Sequence, residues 1–220
     1  MDRPRLKVKA VFFDLDGTIV DSKDAYLTAM KTALSRTGKK SEVNIKLATE
    51  IPRRLEQNLP INDLTQGKDE KKFLKHYLCA YYQATKTKSK PVPGISHALS
   101  RLSGRVKMGL ITRRHVPKEK VIEELTAFGL AKYFQSIVTA CDTLSPKPSP
   151  DALIRCAEQL NTTITNCAVV GDSVADIRAG KKAGTRTVAV LSGIFSREEL
   201  KKENPDLILK SVRDLPDCLE

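Results

Sequence analysis

Near its start the chain runs Val11-Phe12-Phe13-Asp14-Leu15-Asp16-Gly17-Thr18, passing from unbroken apolar character into two carboxylates spaced two apart. With Val8 and Ala10 ahead of them, these apolar residues are too continuous for a strand with one wet face. They specify a strand covered on both sides, as in a parallel sheet flanked by helices. In open sheets of that kind ligands lie just beyond the carboxyl ends of the strands, which puts chemistry at Asp14 and Asp16. A strand sends both to the same side, and Gly17 lets the backbone bend tightly after them. Two carboxylates so close repel unless a cation or a shared proton separates them, and a divalent metal is the natural third party. A plain Asp-Gly turn after a core strand is the alternative this segment leaves open.

The neighbours such a strand needs come late in the chain. From Gly94 onward helix and strand signals alternate: a helix over 95–102 stopped by Gly104, a strand over 106–112, a helix opened by Pro117 and running to Ala127, and a short strand over 136–140. A helix from Pro150 to Leu160, a strand over 167–171, a helix over 175–183, and strands over 187–191 and 207–209 follow. This rhythm predicts an α/β fold with a doubly wound, Rossmann-like parallel sheet. It also gathers Asp14, Thr112, Lys147 and Asp172 on one edge.

Between the first strand and this alternation, 21–89 is different in kind. Helical spacing is evident over 25–37, over 45–58 with an interruption near Pro52, and over 70–84, where Phe73, Leu74, Tyr77, Leu78 and Tyr81 form a stripe best explained as a packing face. No strand is expected there. The basic run Lys86-Thr87-Lys88-Ser89-Lys90 and Pro91-Val92-Pro93-Gly94 have linker chemistry. The expected organisation is therefore a core of 1–20 and 90–220 with a small inserted α-helical domain over 21–89.

Val169-Val170-Gly171-Asp172-Ser173-Val174-Ala175-Asp176 repeats the pattern of a strand ending in an acid, with a second acid one helical turn on. Asp14, Asp172 and Asp176 offer oxygen and neither thiolate nor imidazole, a donor set suited to Mg²⁺. Capping of the next helix by Asp172 or Ser173 is the structural alternative. Thr112 ends another strand with a hydroxyl and backbone N–H groups able to hold a phosphate. Lys147 is held between Pro146 and Pro148.

Composition narrows the rest. The 220 residues, 40% of them apolar, suffice for one domain with a modest insert, and no run approaches the ~18 apolar residues of a membrane span. The start lacks a signal-type apolar region, so a cytoplasmic protein is expected. Five scattered cysteines, never in a CxxC pair, fit reduced structural thiols. The net charge of +12 calls for an anionic partner, but basic residues spread along the chain, no Trp and 5% aromatics argue against nucleic acid and for a small phosphorylated molecule.

In this order the segments resemble the haloacid dehalogenase superfamily of phosphotransferases over nearly the whole chain. Asp14 to Thr18 looks like its first motif, Thr112 its second, Lys147 its third, and Gly171-Asp172-Ser173 with Asp176 its fourth. The helical insert is similar to the cap of the subfamily containing phosphoglycolate phosphatase and β-phosphoglucomutase, and Pro91 to Ile95 and Ser192 to Leu200 are phosphoglycolate phosphatase-like. The resemblance implies a Mg²⁺-dependent phosphatase, monomeric or homodimeric, in which Asp14 attacks phosphorus and Asp16 serves as acid and base. It further implies that Asp14, the Asp16 backbone carbonyl, Asp172 and Asp176 serve the metal, and that Thr112 and Lys147 hold the phosphoryl group. A sugar-phosphate mutase and a non-catalytic phosphoprotein or nucleic-acid binding module are the other readings. Two departures stand out. Arg113-Arg114 follows Thr112, where relatives carry a small or amide residue; this places Arg113 near the phosphate, with Arg114 and His115 either beside it or facing water. The segment over 46–54 lacks the glycine of many relatives, and its Arg53 and Arg54 either clamp a carboxylate or second phosphate or form an exposed helix face.

Overall fold

The computed structural model describes residues 5–38, 42–65 and 69–220. From β1 (Ala10–Asp14) the chain leaves through the short β2 (Val20–Asp21) and forms α1 (Lys23–Arg36), α2 (Ile45–Gln57) and α3 (Glu70–Lys88). It returns through β3 (Lys90–Pro91), which pairs with β2. It then alternates through α4 (Ile95–Leu102), β4 (Lys107–Ile111), α5 (Lys118–Ala127), β5 (Ser136–Val138), α6 (Asp151–Gln159), β6 (Cys167–Gly171), α7 (Val174–Ala183), β7 (Arg186–Val190), α8 (Arg197–Lys202) and β8 (Leu207–Leu209). Two compact units result, Met1–Val20 with Pro91–Glu220, and Asp21–Lys90.

The larger unit is built on a six-stranded sheet in the order β5-β4-β1-β6-β7-β8, every pairing parallel. β1 lies inside it, with Phe13 in register with Leu110 of β4 and Val170 of β6. All five of its residues are buried, and the first four alternate between two cores. Val11 and Phe13 join α4, α5 and the C-terminal turn over Val212–Cys218; Ala10 and Phe12 pack with Leu153, Cys156 and Ala157 of α6. A strand sandwiched this way has no solvent face to carry polar residues, which is why its sequence is continuously apolar. Strand order reverses across β1: β4 and β5 lie on one side, β6 to β8 on the other. The carboxyl ends of β1, β4 and β6 therefore open on a topological switch point.

In the smaller unit α1 buries Ala25, Tyr26, Ala29, Met30, Ala33 and Leu34, and α3 buries Phe73, Tyr77 and Tyr81. Tyr26 stacks on Tyr81 with centroids 5.2 Å apart, so the aromatic stripe of α3 is a packing face. Three expectations need correction. Pro52 does not interrupt α2, because a proline removes one hydrogen bond while the Asn44 cap on Leu47 N–H and the left-handed Asn58 still secure the two ends. The basic segment after Ala84 is helical to Lys88, since lysines in a last turn complement the helix dipole. And Asp21, inside the stretch where no strand is expected, belongs to the short β2, which pairs with β3.

Cys156, Cys167 and Cys218 are buried, Cys79 and Cys141 exposed, and none is in a disulfide. Burial pushes the Cys156 thiol up to about 12. Alkylation of the native protein at neutral pH should therefore label Cys79 and Cys141 and spare the other three, read by peptide mass spectrometry. Equal labelling of all five would show that α6 and β6 do not pack as described. No helix among the described residues is long and apolar enough to cross a membrane.

Candidate active site

Asp14 is the last residue of β1, and Asp172 follows the last residue of β6, the strand hydrogen-bonded beside it. One turn into α7, Asp176 completes a cluster in which each residue brings a carboxylate oxygen within 4.8 Å of the others. All three are buried, Asp176 completely. Lys147, itself only 3% exposed, reaches in from the 143–150 segment, and its Nζ donates to Asp14 Oδ1 at 2.6 Å and to Asp176 Oδ1 at 2.5 Å. An ammonium so deeply buried is sustained only by carboxylates at contact distance, and they by it.

Asp176 has two tasks, because its other oxygen closes a capping box with Ser173. Asp176 Oδ2 accepts from Ser173 N–H at 3.1 Å and from Ser173 Oγ at 2.7 Å, while Ser173 Oγ accepts from Asp176 N–H. The capping alternative for Ser173 is thus realised alongside the acidic cluster. Asp172 is held by donation from Thr18 Oγ1 at 3.1 Å to one oxygen and from Ile194 N–H at 3.3 Å to the other. Backbone presses directly on these carboxylates. A Cβ at Gly171 would fall 2.2 Å from the Asp176 carboxylate, and one at Gly193 would fall 1.7 Å from Asp172 Oδ2. Gly17 adopts φ +85° beside Asp172, and its carbonyl accepts from Ser192 Oγ at 2.7 Å.

Asp16 does not join this cluster through its side chain. Its carboxylate is taken at both oxygens by Arg114, through Nε at 2.7 Å and Nη2 at 2.6 Å. The two acids of the first motif are thus held by different cations. Arg114 is 5% exposed, so it does not face water. Thr112 sits at the end of β4, but its N–H is spent on Val138 O at 3.0 Å and its Oγ1 accepts Arg114 N–H at 3.2 Å. The first of these bonds extends the pairing with β5 one residue beyond β4, and the second engages the Arg114 amide within its own loop. Arg113 donates through Nη1 to the carbonyl of Lys147. In the smaller unit Arg54 forms a bidentate pair with Asp63 and also meets Glu50, and Arg53 meets Glu50 at 3.3 Å. The guanidinium beside it holds the Asp63 carboxyl below the usual carboxylate range.

The edge thus unites Asp14, Lys147, Asp172 and Asp176 and leaves Arg53 and Arg54 in the separate unit. Sequence reasoning passed over Thr18, Gly193 and the Ile194 amide as supports of Asp172. Their signal was a glycine following β7 at the same sheet edge.

The family model described as haloacid dehalogenase-like hydrolase matches residues 11–190. The chain is similar to the phosphoglycolate phosphatase of Escherichia coli O157:H7, 28% identical over 94% of this chain and 91% of that one. It is likewise similar to a protein of Caldanaerobacter subterraneus provisionally named a pyrophosphatase, 30% identical over 96% of this chain and 94% of the other. Among solved structures, a haloacid dehalogenase-like hydrolase of Streptococcus pneumoniae superposes with a TM-score of 0.79 over 95% of this chain and 97% of that one, at 19% identity. With a match that spans every strand up to β7, the chain belongs to the haloacid dehalogenase-like hydrolase family and resembles its phosphatases.

Proposed function

We propose that this hydrolase is a Mg²⁺-dependent phosphatase of a small phosphorylated, carboxylate-bearing metabolite, with 2-phosphoglycolate the leading candidate. The observation that carries the reading is the buried Asp14–Lys147–Asp176 bridge beside Asp172 at the carboxyl edge of the sheet. It brings a nucleophile, a fixed cation and an all-oxygen donor set into one place.

The donor set fits Mg²⁺: three carboxylates within reach of one another, hard oxygen ligands, and glycine backbone that leaves them no room to turn away. Asp14, Asp172 and the Asp16 backbone carbonyl would hold the ion, with Asp176 ordering its water shell through hydrogen bonds. When bound, the ion draws charge from the phosphoryl oxygens and shields them from the attacking carboxylate. Asp14 attacks phosphorus, forming a P–O bond to its own carboxylate as the ester P–O bond breaks. Asp16 gives a proton to the departing oxygen. Water then attacks the aspartyl phosphate, Asp16 takes its proton, and inorganic phosphate leaves with Asp14 restored. Lys147 keeps Asp14 aimed and offsets the charge gathered around phosphorus, with Thr112 and Arg113 at the phosphate end.

The unit Asp21–Lys90 is the substrate-selecting cap in this reading. Arg53 and Arg54 are its cations for the part of the substrate that does not react, where a substrate carboxylate competes with Glu50 and Asp63. Pyrophosphate is a second candidate, favoured by the 30% identity to the provisionally named pyrophosphatase.

The test is phosphate release from 2-phosphoglycolate, pyrophosphate, a hexose phosphate and an aryl phosphate, with Mg²⁺, with Ca²⁺ and with EDTA. We expect turnover with Mg²⁺, at least about 100-fold less in EDTA, and inhibition by Ca²⁺, whose looser and larger coordination disturbs the in-line approach of Asp14. Full activity in EDTA would remove the metal, and no release from any substrate would remove the phosphatase. A preference for pyrophosphate would replace the carboxylated substrate.

A further inference from the structure

Of the three residues that follow Thr112, Arg114 is the buried one, and its side chain reaches the first motif. Nε and Nη2 take the two oxygens of Asp16, Nη1 takes Glu124 Oε2 of α5, and Nη2 lies 3.4 Å from Glu124 Oε1. Its backbone is tied down as well: the N–H donates to Thr112 Oγ1, and the carbonyl accepts from Ala140 N–H at 3.2 Å. All three guanidinium nitrogens thus face carboxylates, which does not suit a phosphate receptor. An arginine also does not exchange protons near neutral pH, so it is no acid or base itself. What it does supply is a planar two-point fork, the geometry that fixes a carboxylate in orientation as well as in position. Asp16 bridges to Val20 at the head of the turn over 17–19, where a single contact would leave its side chain able to rotate.

We propose that Arg114 is a positioning residue for the reaction, holding the Asp16 carboxylate at two points for its proton transfers, and that Glu124 of α5 holds Arg114 in turn. Burying a guanidinium between two carboxylates is a poor way to gain stability compared with apolar packing. Placed at the edge where the chemistry lies, it defines where one carboxylate points. An acid or base displaced by about 1 Å loses on the order of 10²-fold in rate. This inference rests on the reading of Asp16 as the acid and base.

Transient kinetics separate the two. An activated aryl ester such as 2,4-dinitrophenyl phosphate needs no proton on its leaving group, so its burst reports attack by Asp14 alone, whereas steady turnover of 2-phosphoglycolate needs Asp16 twice. Arg114→Lys keeps the charge and loses the fork. It is expected to lower kcat on 2-phosphoglycolate by roughly 30- to 100-fold with KM within about threefold, and to leave the dinitrophenolate burst within about threefold. Glu124→Gln should show the same pattern at about 5- to 10-fold, and it keeps the question answerable if Arg114→Lys does not fold. In an Asp16→Asn background, adding Arg114→Lys should change neither the burst nor the residual turnover, because the group it positions is gone. Equal losses in burst and turnover, further losses on top of Asp16→Asn, or wild-type kcat in both single variants would each overturn the positioning role. An Asp16→Asn enzyme that turned over 2-phosphoglycolate at the wild-type rate would instead overturn the acid and base reading beneath it.

Discussion

Asp14→Asn should fold like the wild type and lose at least about 10⁴-fold in kcat, because an amide cannot attack phosphorus and every later step depends on the bond that Asp14 forms. The fold should tolerate the change. The amide is nearly isosteric with the carboxylate, and Lys147 keeps Asp176 as a partner at 2.5 Å. Steady phosphate release gives the size of the loss, and mass spectrometry of the quenched enzyme should find a phosphorylated adduct in wild type and none in the variant. Retention of even a tenth of the wild-type rate would mean that some other group attacks phosphorus.

The second large effect is expected at Lys147, where catalysis and stability are lost together. Lys147→Met leaves Asp14 and Asp176 buried without the ammonium that bridges them. Breaking a buried pair in this way costs about 3–5 kcal/mol, which for a chain of this length is a drop of about 6–20 °C in Tm. The drop should be largest in EDTA and shrink on adding Mg²⁺, since a divalent ion among the carboxylates takes over part of the neutralisation. Turnover should stay down by about 10²–10³-fold even with Mg²⁺, because the fixed cation beside phosphorus is missing. A Tm that moved by less than about 2 °C in EDTA would show that Asp14 and Asp176 do not depend on Lys147.

Which features the sequence disclosed follows from how local their causes are. β1 was legible because burial on both faces writes an unbroken apolar run, and α4, β6 and β8 coincide with their sequence limits because glycines, prolines and periodicity bound them. The acidic cluster was legible through topology, since parallel strands deliver their carboxyl ends to one edge. Arg114 was not. Its carboxylate partners lie 98 and 10 residues away in sequence, and nothing in two adjacent arginines tells which turns inward. The engagement of the Thr112 N–H was not legible because pairing with β5 runs one residue past the strand end, and Pro52 was misjudged because flanking hydrogen bonds outweigh the one a proline removes.

The order of strands in the sheet bears on how the protein is made. β1 leaves the ribosome first, yet Ala10 pairs with Lys107 and Cys167, so the strand that carries the nucleophile has no sheet to enter until most of the chain has followed. At 5–20 residues per second that interval is about 5–20 s for β4 alone, and longer for β6. Throughout it Ala-Val-Phe-Phe, an uncharged β-prone stretch, is unpaired and open to adhesion with other nascent chains. The helices α1 to α3, which form a unit of their own, are all synthesised before β4 begins at Lys107. Expression yield should therefore respond more to the charge just ahead of β1, at Lys7 and Lys9, than to substitutions of equal stability cost elsewhere, because those lysines repel neighbouring copies while the strand waits for its partners.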